Sequence, residues 1–211
     1  MLAGLVIRIC NHTMDCEEIL NYWFGDIQNG LTVENRGQLW YGSSADTDAA
    51  INARYAHKLQ QGVAGELDGW NKTARGRLAL ILLFDQFSRN IFRRSAQAFA
   101  FDQQAQTLVL EGIELGHDKD LQAIERSFFY MPLEHAEDLA LQQLCVEKMA
   151  QMIADAPQAA RPALVSSLRF ARDHRDIIAQ FGRFPHRNEV LGRQSTQAER
   201  EYLQTANRYG Q

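Results

Sequence analysis

The sequence predicts an all-α fold. Three observations carry that expectation: apolar residues recur at helical spacing along almost the whole chain, no segment alternates with the period of a strand, and glycine or proline punctuates the chain at helix-length intervals. About nine helices can be counted this way, and the connections between them are short, so successive helices should pack as antiparallel hairpins. No repeat at the ~34-residue tetratricopeptide period is visible, so any stacking of hairpins must be degenerate.

The elements follow in order. Asp15 and Glu18 have capping-box spacing before the pairs Ile19/Trp23 and Leu20/Phe24, and Gly25 closes that helix. A short helix is expected over Val33–Trp40 and a longer one from the Ser44 turn to about Gln61. Trp70–Phe87 is the strongest core segment, with Leu78, Ile81, Leu82 and Asp85 on one face. Further helices are expected over Ala96–Leu115 and Leu121–Tyr130. Pro132 should break the second of these, and the next should restart over Glu134–Ala154. A long helix enters after Pro162 and ends at Gly182. A short turn follows Pro185, and Thr196 with Glu199 forms a capping box for the last helix.

A chain of 211 residues with 45% hydrophobic and 23% charged residues supports one substantial core, read here as a single domain over residues 15–211. Residues 1–14 read as an N-terminal extension, disordered or an overlong start, because Met14 directly precedes the first helix. The net charge of −4 argues against a nucleic-acid partner. No apolar run reaches the ~18–20 residues of a membrane span, which argues against a membrane partner. Cys10, Cys16 and Cys145 form no C-x-x-C pair, which fits reduced thiols and a cytoplasmic setting.

Phosphate-loop, dinucleotide, nucleophile-elbow and zincin motifs are absent, and no cofactor is assigned. Pooling His135, Asp138, His174 and His186 as metal ligands is enforced by no spacing, so no metal is assigned either. Three polar clusters remain. The first, Asp85 to Arg93, ends the most apolar helix; Asp85 points toward the core and needs a cation, for which Arg89 lies one turn on and Asn90 beside it. The second runs from Phe128 through Tyr130, Glu134 and His135 to Asp138, with His135 expected in the first turn of a helix opened by Pro132. The third holds His174 on an apolar helix face with Phe170 and Ile177, then a loop between Gly182 and Asn188. That loop should display Arg183, His186, Arg187 and Asn188 beside Phe184. Six arginines and no lysine lie between Arg169 and Arg193, a bias suited to bidentate contact with an oxyanion.

Four stretches of these clusters also carry a resemblance: Tyr22–Gly25, Leu83–Arg93, Pro132–Leu139 and Gly182–Asn188, continued by Leu191–Arg193, Ser195, Thr196 and Glu199. Together they resemble the bacterial domain-of-unknown-function family 924 from about Ile19 to Leu203, with Ser88 where that family more often has proline. The resemblance implies hairpins stacked in a tetratricopeptide-like right-handed array. It implies no activity and no catalytic residue.

Two functions are therefore expected. In the first, the clusters converge on a pocket for a small anionic molecule: Arg89, Arg183, Arg187 and Asn188 bind the anion, and His135 or His186 acts as general acid or base. Asp138 or Asp85 orients the imidazole, Asn90 and Glu134 lend support, and Phe129, Tyr130 and Phe184 wall the pocket, for hydrolysis or group transfer. In the second, the array is a peptide- or protein-binding module with no catalysis, anchored by exposed Trp23, Trp40, Tyr41 and Trp70. A third account makes the polar motifs a buried hydrogen-bonded network that only sets helix register.

Overall fold

The computed structural model describes residues 15–206, and the fold is all-α apart from one small hairpin. The predicted N-terminal extension lies outside the described residues. Helix α1 covers residues 15–24 and stops at Gly25, whose φ of +62° is the left-handed conformation glycine adopts without strain. Asp15 is already helical, and its carboxylate binds Lys58 at 2.8 Å instead of capping.

Two strands absent from the sequence reading follow, β1 (Ile27–Gln28) and β2 (Leu31–Thr32), paired antiparallel with Gln28 opposite Leu31. Asn29 and Gly30, both at positive φ, make the tight turn. An Asn-Gly pair favours such a turn strongly, and the predicted start at Val33 gives way to α2, Gly37–Tyr41. Helix α3 (Ala45–Val63) is capped by the Ser44 side chain, which accepts from the Thr47 amide.

The predicted core segment forms the centre of the molecule. Helix α4 (Ala74–Ile81) starts at a Thr73 cap, widens into a π-helical turn over Leu82–Phe87 and continues as α5, Ser88–Ile91. Residues Gly76 to Ser88 are buried without interruption, so this rod is enclosed on every side. Helices α3, α6 (Asp102–Glu114) and α7 (Ala123–Glu134) pack against it. Trp23, Phe24, Phe87, Phe128 and Trp40 form an aromatic cluster between α1 and α7, with ring centroids 4.8 to 5.7 Å apart for most neighbours. Gly112 lets α6 approach closely, since a Cβ there would sit 2.6 Å from both Phe129 Cζ and Arg77 Cδ.

Helices α8 (Leu139–Asp155) and α9 (Arg161–Phe181) complete the body, each packing on the helix before it. After Gly182 a second, smaller apolar cluster of Ile177, Ile178 and Phe184, with Phe181 and Tyr202 against it, seats the last segment. That segment is a 3-10 turn, Pro185–Arg187, and α10, Gln197–Leu203, which opens with the predicted Thr196/Glu199 capping box. Among the described residues no helix is long and apolar enough to cross a membrane.

Candidate functional site

Asp85 lies in the π-helical turn, and its carboxylate is wholly buried. An ionised carboxylate in that position is tolerable only if its oxygens are satisfied. They are: Oδ1 contacts His135 Nδ1 at 2.7 Å and Arg89 Nη1 at 3.2 Å, and Oδ2 accepts from Gln86 Nε2 at 2.6 Å. Arg89 also donates to the Asp85 carbonyl at 2.6 Å and bridges to Asp102 on α6 at 3.0 Å. These partners hold the Asp85 carboxyl well below the usual range despite its burial. Since Asp85 only accepts, His135 carries its proton on Nδ1, and the lone pair sits on Nε2.

His135 reaches Asp85 from the end of α7. The sequence reading placed a helix break at Pro132 and His135 in a first turn; instead Pro132 lies inside α7, Glu134 is its last residue and His135 its C-cap. Proline in a helix costs ~3 kcal/mol. Every residue of α7 is buried, and burial of Phe128, Phe129 and Leu133 at ~1.5–3 kcal/mol each exceeds that cost. Asp138 then becomes the N-cap of α8, accepting from the amides of Ala140 and Leu141 at 2.8 and 3.0 Å. It is occupied there, and the carboxylate that touches His135 is Asp85.

Helix α9 supplies His174 beside this pair. Its Nδ1 lies 2.8 Å from the Phe170 carbonyl and 3.3 Å from Glu134 Oε1, so Nδ1 carries the proton. Although 3.3 Å is ion-pair distance, neither group is charged at neutral pH. Burial, then the nearby Asp85 and Asp173 carboxylates, pushes Glu134 up to about 8. Burial, then His135 and Arg187, pushes His174 down to about 3. Burial also lowers His135 below its ordinary value, against the pull of Asp85. At pH 7 the centre is thus a neutral carboxylic acid, two neutral imidazoles and one satisfied carboxylate.

Glu134, His135 and His174 line a cavity of about 380 Å³, near the low end of small-molecule sites, with Asp85 buried behind His135. Gln86, Arg89, Asn90 and Arg93 line it from the π turn and its continuation; Met131, Glu134 and His135 from α7; and Phe170 and His174 from α9. Trp40 and Tyr41 of α2 complete the wall, with Ser43, Ser167 and Met149. With Glu134 protonated, the charged residues at the cavity surface are Arg89 and Arg93, both cationic. Their counter-ions Asp85, Asp102 and Asp48 stand behind them. Among the described residues, no group of three or more His, Cys, Asp and Glu side chains is arranged to hold a metal ion.

The family described as bacterial protein of unknown function (DUF924) matches residues 19–207. The chain belongs to that family. It is similar in structure to a protein of unknown function from Agrobacterium tumefaciens, with 34% identity and a TM-score of 0.76 over 92% of this chain and 99% of that one. No curated protein matches it. The resemblance visible in the sequence motifs is thereby borne out, and DUF924 membership brings no activity with it.

Set against the sequence reading, this DUF924 chain brings Asp85, Arg89, Asn90, Glu134 and His135 together and adds His174, which was assigned to packing. Asn90 is also tied to Asp48, at 2.8 Å. The Gly182–Asn188 loop does not display its cations as expected. Arg187 is buried, 4.4 Å from the Phe184 ring and 4.6 Å from that of Phe99, with Asp102 at 3.5 Å. Arg183 binds Glu199 at 2.6 Å and anchors α10, while Asn188 donates to Ser195. His186 stacks near Phe184 and is not on the cavity lining, and burial lowers it to about 3. Tyr130 faces another way, donating to Asp118 at 2.7 Å. Phe184 packs on His174 and Arg187 rather than walling the cavity, and Phe129 is likewise buried in the core. Trp23 and Trp70, expected on an exposed anchor patch, are only 1% and 4% exposed. Tyr41, expected only as an exposed anchor for a partner, stands on the cavity wall, and Phe170, Arg93 and Met149 join it there, because helical periodicity reports packing faces and not which of them border a void.

Proposed function

We propose that this protein binds a small anionic molecule in the cavity above Asp85 and His135 and acts on it by general acid–base catalysis, in hydrolysis or group transfer. The observation that carries the reading is the 2.7 Å contact between a wholly buried carboxylate and the imidazole of a cavity-lining histidine. That contact fixes the tautomer, leaving Nε2 as an unprotonated base at neutral pH. Glu134, neutral up to about pH 8, is a proton donor in the same cavity. Among the described residues, with Glu134 protonated, the charge at the cavity surface comes from Arg89 and Arg93, and it has the sign an oxyanion requires.

In hydrolysis, His135 Nε2 takes a proton from water as its oxygen attacks the electrophilic centre. The bond to the leaving group breaks, and the Glu134 carboxylic acid protonates the departing oxygen. Proton exchange with solvent then restores His135 and Glu134. In transfer, a hydroxyl of a second substrate replaces water. The π-helical turn beneath the site is consistent with this reading, since such turns recur at functional positions.

Incubation with a panel of small phosphate mono- and diesters and carboxylate esters, followed by phosphorus and proton NMR, tests the proposal. At least one member should be turned over, and His135→Gln should lower that rate by ~10²–10⁴-fold, the usual contribution of a positioned base. No turnover across the panel, or turnover indifferent to His135→Gln, overturns the catalytic reading.

A further inference from the structure

Among the described residues, seven large apolar side chains are exposed: Val33, Tyr41, Val63, Leu115, Leu139, Val165 and Phe170. Five are aliphatic and none of those borders the cavity; the two aromatic ones, Tyr41 and Phe170, both do. Tyr41 is 65% exposed and Phe170 37%, although most aromatic rings of this chain are packed in its core. Tyr41 follows Trp40, which packs edge-on against Phe128 and Phe24 and donates its indole N–H to the Trp23 carbonyl at 3.0 Å. The short helix α2 is thereby nailed to the core through Trp40, while the next ring is left uncovered at the cavity. Phe170 is held from the other side of the sequence by α9, whose His174 bonds the Phe170 carbonyl. Each exposed ring is carried on a backbone that is itself anchored.

An exposed aromatic ring forgoes a large burial gain, and rigid aromatic side chains lose little entropy on engaging a ligand. Met131 adds a little polarisable, adaptable surface to the same wall, with the fully buried Met149 beneath it, and sulfur contacts aromatic rings favourably. The lining therefore divides by chemistry into a cationic part, Arg89 and Arg93, and an apolar part, Tyr41, Phe170 and Met131. Free phosphate or a small sugar acid would use only the first part.

We infer that the ligand of this cavity is an aryl oxyanion, a molecule whose flat aromatic ring packs on Tyr41 and Phe170 while its phosphate or carboxylate meets Arg89 and Arg93. This inference rests on the anion-binding reading above and adds the ring. Tyr41 and Phe170 are then specificity-determining residues: they select the ring and take no part in the chemistry.

Binding is read from the intrinsic fluorescence of Trp40, which lines the cavity, and checked by calorimetry, using naphthyl phosphate, naphthoate, naphthol and inorganic phosphate as probes. One of the two naphthyl oxyanions should bind at least ~10-fold more tightly than both inorganic phosphate and naphthol, and whichever does identifies the oxyanion, a ring contact being worth about 1–3 kcal/mol. Tyr41→Ala and Phe170→Ala should each weaken that probe by ~5-fold or more and leave inorganic phosphate unchanged. Both rings are exposed, so their removal empties no core, and unchanged melting curves verify the fold. Binding of inorganic phosphate as tightly as the naphthyl probes, or naphthyl binding indifferent to both substitutions, overturns the aryl inference while leaving the anion site standing. If Arg93→Gln affects no probe, the anion-binding reading fails, and the inference falls with it.

Discussion

Replacing Glu134 by glutamine tests the protonation state on which the acid–base reading depends. In the unfolded chain this carboxyl ionises near 4.5; in the fold it is held up to about 8. Between those values the native state keeps a proton that the unfolded state has lost, so the wild-type protein loses stability as pH rises through the window. Each pKa unit is worth about 1.36 kcal/mol, so the full window amounts to about 5 kcal/mol, of which about 3 has accrued by pH 7. Glutamine does not titrate, and Glu134→Gln is freed from that loss. Burying an amide whose donors are incompletely met costs about 1–3 kcal/mol, but this offset is the same at every pH. The stability of the variant relative to wild type should therefore climb by several kcal/mol from pH 5 to pH 8.5. Urea denaturation at four or five pH values measures it, since other titrating groups cancel in the difference. A buried Glu134–His174 ion pair predicts the reverse: breaking it would cost about 3–5 kcal/mol near neutrality. A variant that is less stable than wild type at pH 7, with a difference that does not grow toward alkaline pH, refutes the neutral-pair assignment and removes Glu134 as proton donor.

Two further outcomes follow from the same geometry. Asp85→Asn leaves Asp102 as the remaining carboxylate against Arg89 and removes the negative charge that faces His135, so it should lower stability by about 3–5 kcal/mol and depress the His135 pKa further, seen by denaturant unfolding and imidazole NMR. Because the folded Asp85 pKa is depressed, that stability should be present above about pH 4 and fade as pH falls below it. Asp138→Ala should cost about 1 kcal/mol as a lost cap while leaving probe binding in the cavity unchanged; a selective loss of binding at unaltered stability would return Asp138 to the site.

The sequence disclosed most of the helices because their apolar spacing and their stops are local. Gly25, Gly182 and the Thr196–Glu199 box act within one turn, and each stands where its chemistry predicts. Pro132 misled because its local preference was outweighed by packing on all sides of α7, a tertiary effect. The Asn29–Gly30 pair marks a tight turn in the sequence, but its two-residue strands carry no alternation that would mark a hairpin. At the site, Asp85 and His135 were readable as polar residues in apolar surroundings. Which carboxylate meets the imidazole, Asp85 or Asp138, was not, because the two lie 50 and 3 residues from it and only the fold brings the farther one close. The number of arginines in the last loop is visible in the sequence, but the burial of Arg187 and the pairing of Arg183 with Glu199 depend on the fold.

The π-helical turn has a consequence for how the gene can vary. An α-helix advances about 100° per residue, and the wider turn over Leu82–Phe87 absorbs a residue that regular winding would not. Substitutions that conserve volume leave this phase intact. Loss of the Leu83 codon would let the rod relax to regular winding and shift Asp85 from the position in which it faces His135. A six-residue stretch buried at the centre of the molecule is thus also its reading frame in space: tolerant of spelling, intolerant of length.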